Sequence, residues 1–542
     1  MKTSYDVIII GGGHNGLVTA AYLGKAGYRT LVLERRDILG GASVTEEDVF
    51  SGYKISATSY VASLFHPKII QDLSLHEHGL EFLVRDPPSF TPFADGSHLF
   101  SCLEQADTMA EIARFSKRDA QRYAEYEAML TRIAEQIEPL LLMTPPDPTS
   151  RKPRDLWRLM GMGKMAKGLA GDFLPALQLA SASVADFVRD WFESDALQST
   201  LATDGIIGAY AGVESPGTAY VLLHHVMGGI TDAAGTYHRG RWAYVRGGMG
   251  GIPASIVASS QARQDPVDFV TGEPVARIIV EKGRTRGVEL TGGRVVEAPT
   301  VVSAVDPKIT YLRLLAADQL DGEFITQIRN YKMKGATTKV NLVLSELPDF
   351  KALPGIQLDR QHCGTIHICE NLDYMERAWE DAKHGRWSEN PILECTIPTV
   401  YDKTLLPPEH PDHHIMNIFV LYGPKKLAQG TWQTEGPKFL DRVIRKLGEF
   451  APNLPDAIVH KQILTPDDLE ERYALTEGCI FHGAMGLDQL FWARPLPSIA
   501  QYRGPIDGLY MCGSGTHPGG GVTGLPGHNA AREILRDKPK RG

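Results

Sequence analysis

No stretch of the sequence approaches the roughly 18 consecutive apolar residues that a membrane-crossing helix needs, so no such helix is expected. Cysteine is sparse. Cys102, Cys363, Cys369, Cys395, Cys479 and Cys512 contain no Cys-x-x-Cys pair, which argues against a disulfide framework or a zinc site and leaves reduced thiols as the expectation. The nearest approach to a metal cluster, His362, Cys363, His367 and Cys369, has a spacing that matches no common site, and no metal is expected. Positive charge is also short: 56 Lys and Arg against 65 Asp and Glu give a net charge of −9, with no polycationic face for phosphates and hence no nucleic-acid partner. The chain enters a strand almost at once, leaving no room for a signal peptide, so a cytoplasmic location is the default expectation.

What is present is an ordinary globular mixture, 43% hydrophobic and 22% charged, over 542 residues. A single core stops growing at roughly 250 to 300 residues, so at least two structural units are expected. Residues 5–10 are a continuous apolar run that breaks at Gly11-Gly12-Gly13-His14-Asn15-Gly16, followed by helix-forming residues 17–23 and β-rich residues 30–33. In a strand–turn–helix of this kind Gly11 makes the tight turn, Gly13 lets backbone approach a pyrophosphate, and Gly16 lets helix and strand pack closely. The phosphates then face exposed N–H groups and the positive end of a helix dipole. Glu34 ends the second strand, where a carboxylate accepts hydrogen bonds from a ribose, which suits FAD or NAD and not NADP. A second glycine pair, Gly40-Gly41, lies just beyond, within Glu34-Arg35-Arg36-Asp37-Ile38-Leu39-Gly40-Gly41-Ala42-Ser43. A long, extended flavin dinucleotide needs such a second backbone approach and a pure NAD enzyme does not.

The far end repeats the logic. Residues 508–512 read as a strand, 513–527 are dense in glycine, and 528–535 are good helix formers. Ordering so many glycines is entropically costly, so close approach by a ligand is the expected reason for them, with a helix beginning near Val522 aimed at the flavin. Between the ends, residues 106–137 are amphipathic at helical spacing and 144–148 (Thr-Pro-Pro-Asp-Pro) break the helix. Residues 151–167 set Arg151, Lys152, Arg154, Arg158, Lys164 and Lys167 among Leu156, Trp157, Met160, Met162 and Met165, a pattern suited to a membrane surface or to a mobile lid. Residues 275–280, 285–290 and 295–304 form a small meander.

Gly11 to Gly16, Glu34, Gly40-Gly41 and the run Gly-Ser-Gly-Thr-His-Pro-Gly-Gly-Gly-Val at 513–522 resemble the two ends of phytoene desaturase-type flavoproteins in the wider amine oxidase superfamily. Residues 245–249, 398–408 with Asp402, Leu405, Pro407 and Pro408, and Gly483, Arg494 and Pro495 are similar to one branch of that family. The resemblance implies an α/β fold: a discontinuous Rossmann-like FAD-binding domain (1–65, 232–310 and 475–542) with an inserted mixed α+β substrate domain and helical lid (66–231 and 311–474). It implies FAD as cofactor, with Gly11, Gly13, His14, Asn15 and Gly16 at the pyrophosphate, Glu34 at the ribose and Arg35 as a further cofactor-binding candidate. Gly40, Gly41, Ala42 and Ser43 would follow the cofactor, Val275 would meet the adenine side, and Gly513, Ser514, Gly521 and Val522 the flavin ring. Many relatives have arginine where Ala42 stands, so a phosphate-side cation is missing there. No Cys-x-x-x-x-Cys pair follows the first glycine turn, so dithiol chemistry is unsupported. For a eukaryotic chain the family's mitochondrial branch would place it in that organelle.

The chemistry expected is hydride removal from an apolar substrate to flavin N5, dominated by positioning in a dry slot, with oxygen or a quinone as final acceptor. Trp242, Tyr244, Phe491 and Trp492 are candidates to line that slot or to pack the core, and His517 is the nearest candidate acid or base or else a structural histidine. Lys339, in Gly335-Ala336-Thr337-Thr338-Lys339-Val340, resembles the lysine strand of monoamine oxidases and keeps an amine oxidase as the alternative. A flavin-binding regulator with little turnover is a third reading, and an oligomer is compatible with all three.

Overall fold

In the computed structural model, which describes residues 2–169 and 171–538, the strands Val7–Ile10 and Thr30–Leu33 are buried along their whole length. Strands with no solvated face belong inside a parallel sheet covered on both sides. They sit in a five-stranded, all-parallel sheet ordered Leu509–Met511, Thr300–Ser303, Val7–Ile10, Thr30–Leu33, Val267–Val270. Its strands come from the two ends of the chain and from residues 267–303. The helix His14–Lys25 lies against the C-terminal helix Leu525–Asp537, and a Cβ at Gly527 would sit 2.2 Å from the Asn15 carbonyl oxygen. Val275–Glu281, Arg284–Leu290 and Val295–Glu297 form the antiparallel meander.

The inserted segments build a seven-stranded mixed sheet, ordered Ile458–Leu464, Thr337–Leu344, His414–Leu421, Ile392–Thr396, Thr365–Ile368, Ser89–Pro92, His98–Ser101. Only the pairing of Thr365–Ile368 with Ser89–Pro92 is parallel. Helices from residues 105 to 226 pack beside this sheet around Tyr126, Met129, Ile133, Phe187 and Val188. The amphipathic stretch at 106–137 is two helices, Gln105–Ile112 and Lys117–Leu141, because Ser116 caps the second by accepting from the Asp119 N–H. The basic stretch is a helix, Pro153–Gly168, started by proline at its first position.

The C-terminal helix starts at Leu525, not near Val522. Gly524 takes a left-handed conformation (φ +71°) and Pro526 follows in the first turn, so a regular helix can begin only after it.

Candidate functional site

The turn after the first strand is built by space. Gly11 has φ +99°, a Cβ at Gly12 would meet the Leu39 side chain at 2.6 Å, and one at Gly16 would meet the Gly11 carbonyl oxygen at 2.3 Å. At Gly13 a Cβ would have nothing nearer than the Gly41 Cα at 3.8 Å, so its open side is the cavity side. Gly13 precedes the helix His14–Lys25 without any side-chain cap, leaving the first N–H groups for a ligand. His14 Nε2 and Asn15 Oδ1 are buried with no partner, and burial, then His482, pushes the His14 imidazole down to about 4. These orphaned atoms and the open glycine fit an anionic dinucleotide.

Both Glu34 oxygens accept backbone N–H bonds, from Gly12 (2.8 Å) and Arg36 (2.9 Å), so the acid that faces the cavity also locks the turn. The second glycine pair abuts the first: Gly40 N–H donates to the Gly12 carbonyl (2.9 Å), and a Cβ at Gly41 would lie 3.0 Å from the Gly13 Cα. Gly41 and Ala42 line the cavity, while the Ser43 hydroxyl turns away to the Met249 carbonyl (3.2 Å). Arg35 lines the cavity wall but donates to the carbonyls of Glu471 (2.6 Å) and Arg472 (2.8 Å). Val275 reaches the same wall from the meander.

Of the C-terminal run, Ser514, Gly521 and Val522 line the cavity. The other glycines mostly meet protein: a Cβ would strike Ala304 O at Gly513 (2.6 Å), Pro307 at Gly515 (2.6 Å) and Phe481 at Gly520 (2.1 Å). The expectation that close approach by a ligand explains the run best is therefore corrected, because packing against Ala304, Pro307 and Phe481 demands glycine at positions 513, 515 and 520. The loop is held by Arg494, fully buried, which donates to the Ser514 carbonyl from Nε (3.1 Å) and Nη2 (2.8 Å) and to the carbonyls of Ala484, Gln489, Phe481 and Gly483. The family-like segments at 245–249 and 398–408 also meet, through the Gly247 N–H and the Asp402 carboxylate (2.7 Å).

A cavity of about 1260 Å³ runs from this groove into a chamber between the two sheets and the helices. Lys339 enters it from the middle of a fully buried strand, its Nζ donating to Asn341 Oδ1 (3.0 Å) and Asn417 Oδ1 (3.3 Å) and lying 4.8 Å from the Tyr60 ring centroid. Burial holds this amine well below the ordinary lysine range. The Tyr60 hydroxyl donates to Glu394 Oε1 (2.9 Å). Desolvation, then Asp204, pushes Glu394 up to about 7, and desolvation pushes Asp204 up to about 6. Trp242, Phe419, Leu201, Leu222 and Val226 supply apolar wall.

Other proposed residues fall outside the cavity lining. His517 spends Nε2 on the Leu140 carbonyl (2.8 Å) and packs against Phe491, so burial, which pushes it down to about 4, keeps a structural imidazole neutral. Phe491 and Trp492 occupy a short turn of helix, with Trp492 partly in solvent, and Tyr244 packs behind the wall beside Arg85. Sequence reasoning missed Arg85, Asp204, His225, His367 and Glu394, which all line the chamber. The available signal was a lone polar residue inside an apolar strand, as His367 in Thr365–Ile368 and Glu394 in Ile392–Thr396.

Residues 16–535 match the family described as flavin containing amine oxidoreductase. Pyridine nucleotide-disulfide oxidoreductase domain-containing protein 2 of Mus musculus is 40% identical, over 99% of this chain and 94% of its own length. A limonene dehydrogenase subunit from Castellaniella defragrans is 27% identical over 98% and 94%. A solved putrescine oxidase shares the fold, with TM-score 0.58, 17% identity and 98% of each chain covered. The groove, the buried lysine strand and these matches agree: the chain belongs to the flavin containing amine oxidoreductase family and is an FAD-dependent oxidoreductase.

Proposed function

We propose that this chain is a dehydrogenase or desaturase of an apolar, isoprenoid- or lipid-like compound. When bound, FAD supplies a two-electron acceptor for a substrate hydride, to be regenerated by oxygen or a quinone. The observation that carries the reading is the chamber wall: Tyr60, Leu201, Leu222, Val226, Trp242 and Phe419 give an apolar substrate a dry, shaped surface continuous with the cofactor groove. The relative named for limonene, a hydrocarbon, supports it. Gly13, His14 and Asn15 would hold the pyrophosphate, Glu34 the ribose, and Ser514, Gly521 and Val522 the flavin end. Positioning of the reacting carbon comes first; hydride removal leaves positive charge on that carbon, and the double bond forms when the neighbouring carbon gives up a proton, which an ionised Glu394 or Asp204 of the chamber can accept.

Lys339 favours one rival, an amine oxidase, because its buried amine, held well below the ordinary lysine range, lines the cavity beside Tyr60. Anaerobic stopped-flow separates the readings. Bleaching of the flavin band near about 450 nm by terpenoid, carotenoid or fatty acyl compounds supports the proposal; bleaching by primary amines alone overturns it, and none with either class points to a regulator.

The exposed face of Pro153–Gly168 and Phe173–Ser181 suits peripheral contact with an anionic bilayer. Trp157 is 72% and Leu174 73% exposed, joined by Leu156, Met160, Phe173 and Leu177, with Arg151, Lys152, Lys164 and Lys167 beside them. Apolar side chains flanked by cations match the interface of such a membrane. The face adjoins the cavity, because Arg132, a lining residue, pairs with Asp172 at 2.9 Å between the two helices.

A further inference from the structure

Two arginines are buried near the cavity, and they are used differently. Arg494 donates to five backbone carbonyls and is fully spent on the fold. Arg85 is 3% exposed and lines the chamber, yet its guanidinium has one hydrogen bond, from Nη1 to the Thr365 hydroxyl, and its Nε has no partner. Among the described residues no carboxylate lies within ion-pair distance of it; Tyr244 packs beside it, 5.6 Å from ring centroid to guanidinium carbon, and Asp204, Glu394 and His367 face it from farther off. His367, which lines the same end, also has a buried Nδ1 without a partner. A desolvated charge without a counter-charge is strongly disfavoured, so a site of this kind is completed by what it binds.

We propose that Arg85, with His367, binds a carboxylate at one end of an otherwise apolar substrate, fixing which carbon reaches the flavin. The inference rests on the dehydrogenase reading and narrows its substrate class from hydrocarbon-like compounds to apolar organic acids. A planar guanidinium with free N–H groups matches a carboxylate better than it matches an alcohol or a hydrocarbon end. The opposite charge type is disfavoured by the same inventory. Burial lowers Lys339 well below the ordinary lysine range, His367 is pushed down to about 3 by burial and then Arg85, and burial also lowers His225, so burial disfavours the charged form of each of these. The two acids facing Arg85, Asp204 from the helix Asp195–Ile206 and Glu394 from the strand Ile392–Thr396, hold protons up to about 6 and about 7. While they are protonated, no ionised carboxylate of Asp204 or Glu394 offsets the guanidinium at this end of the chamber. As they ionise, negative charge gathers around the site, and a bound carboxylate is repelled.

The test is calorimetric titration of the purified FAD-loaded protein with decanoate, decanol and decylamine. Decanoate should bind tightest below about pH 6 and weaken by about tenfold or more on going to about pH 8, a dependence decanol lacks. Arg85→Met should weaken decanoate by about tenfold or more and leave decanol unchanged, with the flavin spectrum retained. Equal binding of decanoate and decanol to the unmutated protein, or tightest binding of decylamine, overturns the proposal. If Arg85→Met does not fold, the pH series on the unmutated protein decides. A decanoate preference together with flavin that no apolar compound bleaches would leave the anion site standing and remove the dehydrogenase reading instead.

Discussion

Asn15 and Ser514, 499 residues apart in the chain, are joined by a hydrogen bond of 3.1 Å from the Asn15 amide to the Ser514 hydroxyl. One stands in the first turn of the N-terminal helix and the other in the C-terminal glycine loop, and both line the cavity. Two turns that the sequence writes at opposite ends thus face one volume, and a dinucleotide there touches both.

Gly13 and Gly16 separate binding from folding. Gly13 has φ −70° and an open Cβ direction, so Gly13→Ala should fold with a melting temperature within a few degrees of the parent and yet hold FAD at least about tenfold more weakly, since the methyl group occupies cofactor space. Gly16→Ala places its methyl group against the Gly11 carbonyl and should lose stability as well as FAD. Flavin absorbance after ultrafiltration, beside thermal melts, checks both.

Arg494→Met removes donors from the carbonyls of Ser514, Phe481, Ala484, Gln489 and Gly483 in a dry interior. Each stranded acceptor costs about 1 kcal/mol or more, so urea unfolding should show a loss of at least about 3 kcal/mol. Retention of both stability and flavin would show that the loop is held by other means.

The cofactor groove was legible because its evidence is local: Gly11, Gly13, Gly16 and Glu34 lie within one strand–turn–helix–strand unit, whose spacing fixes their geometry. The C-terminal loop was legible as a glycine run, but its helix start was not, since the left-handed Gly524 outweighs the helix-forming residues after it. His517 stayed open between an acid or base and a structural histidine because nearness in sequence to the loop says nothing of where the ring points, which here is toward Leu140. The chamber acids, Arg85 and His367 were invisible as a group. They come from separate segments, and only the seven-stranded sheet and its helices bring them to one space.

Glu394 gives the protein a pH signature. Its folded pKa, about 7, lies above the ordinary glutamate value, so its protonation stabilises the fold at low pH and that contribution is lost as pH rises through about 7. The melting temperature should fall between about pH 5 and pH 8, and Glu394→Gln, which mimics the protonated acid, should flatten the fall. An identical pH profile in the variant would exclude Glu394 as its source.

Flotation with vesicles containing an anionic lipid should carry the protein upward at low salt, less at about 0.5 M salt, and less still for the double change Trp157→Glu with Leu174→Glu. Absence of flotation at any salt, with the double change converting a dimer to a monomer, would assign the exposed face to a second copy of the chain.

The most direct test of the convergence of the two glycine turns is the visible spectrum of the pure protein after incubation with FAD and removal of the excess. One tightly held FAD per chain, absorbing near about 450 nm and lost in Gly13→Ala, is the result expected. A colourless protein, with no flavin retained by the unmutated chain, would contradict it.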